Sequence, residues 1–145
     1  MTDIYIGCDP GGTTGVAWYR PEQSGLPAIG KAYESTDPQT ILTWLEDEEL
    51  DLMELHYDLN FHYTVEAFNG GGYRTTDAIQ TLELVGFFYH TFAGSWNAGY
   101  DHVRKVGSSQ RMSGMREAQR ILGPTGTPPH KWDAFSHAVV HSRGG

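Results

Sequence analysis

An α/β fold built on a mixed sheet is what the sequence predicts, and three observations predict it. Three β-forming runs come first, at residues 4–9, 15–19 and 29–33, joined by turn-rich segments. After them helical and strand-like periodicities alternate to the end of the chain. Closely spaced strands pair antiparallel, whereas strands separated by a helix are set up to pair parallel. No internal repeat or low-complexity linker interrupts this order, and 145 residues fit one domain, residues 1–145, with a real core.

Each element has a local reason. Ile4, Ile6 and Cys8 alternate with Tyr5 and Gly7, which predicts a strand that ends at Asp9, because Pro10 cannot donate to a ladder. Gly11 and Gly12 are expected to supply turn conformations open to few other residues, and Gly15 to Tyr19 reads as the returning strand. Asp37-Pro38 is a cap followed by proline at the first helical position, and Ile41, Leu42, Trp44 and Leu45 carry a helix through about Glu49. That ending would leave Glu46, Asp47, Glu48 and Glu49 at the unfavourable end of the helix dipole, as a solvated face. Residues 61–68 are rich in β-formers and carry Glu66 near their end, before a glycine-rich stretch, Asn69 to Arg74. Asp77 with Gln80 opens a helix over residues 77–91 in capping-box fashion. A short strand at residues 102–106, a weaker helix at 108–122 interrupted by Gly114, and a last helix from about His130 to Ser142 after Pro128-Pro129 complete the chain.

Composition narrows the function classes. No run approaches a membrane span and no basic-then-apolar leader opens the chain. The single cysteine, Cys8, rules out an intrachain disulfide, so a reducing, cytoplasmic setting is expected. The net charge of −8 argues at first against nucleic acid, but it is unevenly spread. Residues 1–60 hold two basic and twelve acidic residues; residues 61–145 hold eight basic and six acidic. The asymmetry predicts an acidic back and a basic working face.

The acids carry the chemistry. Asp9 ends the first strand beside a turn with little bulk, Glu66 lies at the end of the fourth, and Asp133 lies in the first turns of the last helix. His130, Asp133 and His137 are spaced i, i+3 and i+7 and share a face, which is expected to point away from the core side made by Phe135, Ala138, Val139 and Ser142. Gathered carboxylates repel unless a divalent cation joins them. Magnesium suits a few carboxylates with open positions, and a pair of ions about 3.5–4 Å apart can activate water and steady a leaving oxygen. An imidazole at His130 can ligate a metal or accept a proton. His130 alone, and equally His137 and His141, also read as ordinary solvated or packed histidines.

Asp9-Pro10-Gly11-Gly12-Thr13-Thr14-Gly15, the central Val65-Glu66 and the terminal His130-x-x-Asp133-Ala134-x-x-His137-Ala138 together resemble the RuvC-type Holliday junction resolvases of the ribonuclease H-like superfamily, in their small phage-encoded form. The resemblance spans nearly the whole chain. It implies a ribonuclease H-like five-stranded sheet, three antiparallel strands then parallel ones, flanked by helices. It implies that Asp9 bridges two metals, Mg2+ or Mn2+, with Glu66, His130 and Asp133 completing the set as catalytic ligands. Histidine at 130, where many relatives carry an acid, leaves the preferred metal open, since imidazole suits manganese better. The resemblance further implies a homodimer acting on four-way DNA in recombination, repair or phage DNA processing, with the helix at 77–91 and its Phe87 and Phe88 at the seam. Phe68, Tyr73 and Arg74 would lie near the junction centre, where aromatic faces can stack on bases. Arg104, Lys105, Arg111, Arg116 and Lys131 are candidate phosphate contacts, positioning DNA without reading sequence.

The leading expectation is thus a metal-dependent, structure-selective endonuclease that resolves Holliday junctions by paired phosphodiester hydrolysis. A general flap or fork nuclease of the same fold is the alternative. An actin-like or sugar-kinase-like ATPase shares the strand–Asp–Gly–Thr turn but needs two related halves, which 145 residues without a repeat do not supply, so no nucleotide cofactor is expected. A non-catalytic DNA-binding module is the remaining class, against which the retained acids argue.

Overall fold

A computed structural model of the chain describes residues 2–56, 58–67, 76–94, 103–106, 111–123 and 130–144, with the backbone alone for 76–78 and 111. The elements in order are β1 (Thr2–Asp9), β2 (Thr14–Arg20), β3 (Ile29–Ser35), α1 (Pro38–Leu55), β4 (Leu59–Glu66), α2 (Thr76–Ala93), β5 (Val103–Val106), α3 (Arg111–Leu122) and α4 (His130–Ser142). The strands form one mixed sheet in the order β3-β2-β1-β4-β5. β1, β2 and β3 pair antiparallel as hairpin neighbours, whereas β4 joins β1, and β5 joins β4, in parallel.

The period-2 pattern sorts the strands into two cores. Ile4, Ile6, Cys8, Val16, Trp18, Phe61, Tyr63 and Val65 face α1 and α2 and pack with Ile41, Leu45, Phe88 and Phe92. On the other face Ala17 and Tyr19 pack with Met115, Ala118, Trp132, Phe135, Ala138 and Val139 of α3 and α4. The sheet is therefore covered on both sides, as a parallel centre requires.

Several expectations change on this frame. Asp37 does cap α1: it accepts the Gln39 amide at 3.3 Å and the Thr40 hydroxyl at 2.7 Å, which hold its carboxyl below the usual range. The helix, however, runs on to Leu55, so its acidic run is interior rather than terminal. Nor is that run simply solvated. Glu48 accepts the Trp18 indole N–H at 2.9 Å and pairs with Lys31, and the buried Glu49 accepts the Tyr63 hydroxyl at 2.7 Å. Two of its acids thus fasten α1 to the sheet. Phe88 is wholly buried under the sheet while Phe87 is exposed, so only one of the pair is free for a seam. α2 begins at Thr76; the predicted Asp77 cap and the Pro128-Pro129 helix opening fall outside the described side chains and residues.

Gly114 does not weaken α3 so much as seat it. A Cβ there would lie 2.4 Å from the Ser136 carbonyl oxygen, so the missing side chain lets α3 meet α4 backbone to backbone. The turn glycines also act differently from expectation. Neither Gly11 nor Gly12 has a positive φ, and the turn is closed instead by Thr14, whose hydroxyl donates to the Gly11 carbonyl and accepts its amide.

Candidate active site

Two glycines on the α4 face of the β1–β2 hairpin decide where the chemistry sits. A Cβ at Gly7 would lie 2.0 Å from the Ala134 carbonyl oxygen, and one at Gly15 would lie 2.3 Å from that of His130. Side chains at either position would hold α4 off the sheet. With neither present, the first turn of α4 settles directly over Gly15, which is the cross-strand partner of Asp9. His130 Nδ1 then lies 3.0 Å from Asp9 Oδ2, across 121 residues of chain. Asp133, one turn further on, completes a group: one ligand atom each from Asp9, His130 and Asp133 lie within 4.8 Å of one another.

The donor set fits a divalent cation. Two carboxylates and an imidazole are hard-to-borderline ligands, and Asp9 is buried while the His130 ring is half exposed, leaving one side open. Ligand atoms around an octahedral ion with bonds of about 2.1 Å are spaced by up to about 4.2 Å, so small inward movements suffice. The local field favours a cation as well. The Cys8 thiol, on the opposite face of β1, is held protonated well above its ordinary range by burial and then by the negative charges of Asp9 and Glu66.

Glu66 stands beside this group. The parallel register pairs Cys8 with Val65, so Asp9 and Glu66 end neighbouring strands side by side on the α4 face. The Glu66 carboxylate is turned to α4: Oε1 lies 3.3 Å from His137 Nε2. The structure therefore groups three of the four residues the sequence singled out, with the fourth adjacent and facing a histidine. The shared face of α4 does not point away from the packing as expected. It points down at the sheet, and His137 is 1% exposed.

Further along the same face the structure gathers a group that the sequence did not bring together. His141 Nδ1 lies 2.7 Å from Thr64 Oγ1, and its ring meets Tyr5 and His62 edge-on. Burial, then the charges of Arg104 and His62, push its pKa down to about 4. Seven-residue spacing from His130 to His137, and four more to His141, was the available signal. It did not say which strand each would reach.

Among the described residues the candidate basic side chains do not share one face. Arg104 pairs with Thr64 in the ladder, on the α4 side, whereas Lys105 reaches the other side, its Nζ 4.6 Å from the Tyr89 ring centre of α2. Arg116 is exposed on α3, and Lys131, next to His130, lies over the Trp132 ring. Phe68, Tyr73 and Arg74, and the side chain of Arg111, lie outside what the structure describes. No helix among the described residues is long and apolar enough to cross a membrane.

No protein-family model matches the chain, and no curated protein matches it. Among solved structures it is similar to Thermus thermophilus RuvC in complex with a Holliday junction substrate, at 17% identity and a TM-score of 0.54, over 96% of this chain and 92% of that one. A second Thermus thermophilus RuvC structure aligns over 96% of this chain and 93% of its own length, at 18% identity and a TM-score of 0.44. With β3-β2-β1-β4-β5 order, helices on both faces and this neighbour spanning nearly its whole length, the chain has the RuvC-type form of the ribonuclease H-like fold.

Proposed function

We propose that this protein is a divalent-metal-dependent endonuclease that cuts branched DNA, with the four-way junction as its substrate. The convergence of Asp9, His130 and Asp133 donor atoms within 4.8 Å carries the reading. The fold shared with a RuvC bound to a Holliday junction supports the choice of substrate. Asp9, Asp133 and His130 would hold Mg2+ or Mn2+, with Glu66 alongside. A cation bound there supplies Lewis acidity toward a phosphodiester oxygen and lowers the pKa of attacking water. The protein's own part is placement. Asp9 is met by His130, and the missing side chain at Gly15 lets the first turn of α4 come down with its ligands.

Hydrolysis adds water across the P–O3′ bond and leaves a 5′-phosphate and a 3′-hydroxyl. Cutting two strands of a junction calls for two copies of the chain, and the exposed Ile79, Leu82 and Phe87 of α2 are available for such an interface. The test is cleavage of synthetic four-way, flap, fork and linear duplex DNA in Mg2+ and in Mn2+. Paired symmetric cuts confined to four-way DNA are expected. Equal cutting of flaps would make the protein a general branch nuclease, and no metal-dependent cutting of any substrate would reject the nuclease reading.

A further inference from the structure

We propose that His137 is a positioning residue for Glu66, so that a single helix, α4, aims both strand-end carboxylates. The inference rests on the reading of Asp9, His130 and Asp133 as a cation site. α4 lies across four strands, with Phe135 over Gly30 of β3, and its successive turns reach β2, β1 and β4. His130 sits over Gly15 of β2, Ala134 over Gly7 of β1, and His141 against Thr64 of β4. Along this path two histidines seven residues apart each address one strand-end acid: His130 Nδ1 at 3.0 Å from Asp9 Oδ2, and His137 Nε2 at 3.3 Å from Glu66 Oε1.

The two histidines have different means. His130 is half exposed and belongs to the group whose ligand atoms converge. His137 is 1% exposed and outside that group, so it acts through Glu66 rather than as a ligand. A polar ring buried this completely is costly without a partner, and the polar atom that Nε2 faces, at 3.3 Å and outside strict hydrogen-bond geometry, is Oε1 of the Glu66 carboxylate. Glutamate is a long side chain whose ordering costs rotamer freedom, about 1.5–2 kcal/mol on full burial. A neighbour that confines Oε1 removes part of that cost from cation binding and leaves the second oxygen for a cation. Outer partners of metal-binding residues typically change metal affinity by about 10–100-fold when removed.

The experiment measures Mn2+ binding calorimetrically on the full chain, without DNA. His137→Leu, of similar volume but without a donor, is expected to weaken Mn2+ binding by about 10–100-fold, and His137→Gln, which keeps an N–H, to recover most of it. In a Glu66→Gln background, His137→Leu is expected to add nothing, because both changes act on one group. Mn2+ binding by His137→Leu equal to that of the unaltered protein, or additive losses in the double variant, would overturn the inference while leaving the cation site standing. Failure of the unaltered protein to bind Mn2+ would overturn the cation site and this inference with it. Should His137→Leu not fold, long-range 1H–15N spectra of the unaltered protein decide. The proposal requires a proton on His137 Nε2, and a bare Nε2 overturns it.

Discussion

Gly15→Ala tests how the site is assembled with the smallest available change. Gly15 does not have a positive φ, so alanine is acceptable to the backbone, and the objection is space alone. The new Cβ would lie 2.3 Å from the His130 carbonyl oxygen, 2.4 Å from its carbon and 2.7 Å from the Lys131 nitrogen. All three are backbone atoms in the first turn of α4, so no flexible side chain can yield. Restoring ordinary contact requires the turn to lift by about 1 Å, which as overpacking costs about 1–3 kcal/mol. The lift carries His130 and Asp133 away from Asp9, and a 1 Å misplacement in a catalytic group can cost about 100-fold in rate. The assay is metal-dependent nicking of a four-way junction, with Mn2+ affinity and urea denaturation measured on the same preparations. Gly12→Ala is the control, since a Cβ there meets nothing within 4 Å. Gly15→Ala is expected to lose stability by about 1–3 kcal/mol and to lose Mn2+ affinity and cleavage, and Gly12→Ala to change stability little. Cleavage and Mn2+ affinity of Gly15→Ala equal to the unaltered protein would refute the claim that helix approach over Gly15 builds the site.

Asp9→Asn should abolish nicking while junction binding, followed by gel shift, is kept or tightened through relief of charge repulsion; substantial Mg2+-dependent cleavage by a clean preparation would reject the mechanism. Stability should fall in acid through His141. Its folded-state pKa of about 4 lies below the ordinary histidine value, so on acidification the unfolded chain takes up a proton first, and stability is lost from about pH 6.5 down to about pH 4. The full shift corresponds to about 3 kcal/mol, and screening at this half-buried ring reduces it to about 1–2 kcal/mol. Urea denaturation at pH 7 and pH 5 should show that slope, and His141→Gln should flatten it; an unchanged slope would remove His141 as its source. Tyr63→Phe removes the hydroxyl that donates to the buried Glu49 carboxylate. It should cost about 1–3 kcal/mol in urea denaturation and leave Mn2+ affinity untouched; a neutral change would show that the bond holds nothing.

The chain's linear pattern by itself determined the elements and their class. Alternating apolar residues wrote β1, a run of β-formers wrote β4, Asp37-Pro38 wrote the start of α1, and the i, i+3, i+7 spacing put His130, Asp133 and His137 on one face of α4. These are short-range facts of backbone period and capping, so local sequence suffices for them. The acids could also be singled out, because a carboxylate at a strand end is legible as such. Only the tertiary structure decided what those residues meet. Whether α4 faced the sheet or solvent depended on Gly7, Gly15 and Gly114, whose meaning is the absence of a side chain where another backbone passes, and nothing local reports that passage. Whether Glu66 joined the cluster or turned to His137, and whether Arg104 and Lys105 shared a face, depended on register and on the path of one helix across the sheet. Contacts between residues more than a hundred positions apart, such as Asp9 with His130, are fixed by steric fit summed over the whole fold, and that sum is not written in any one segment.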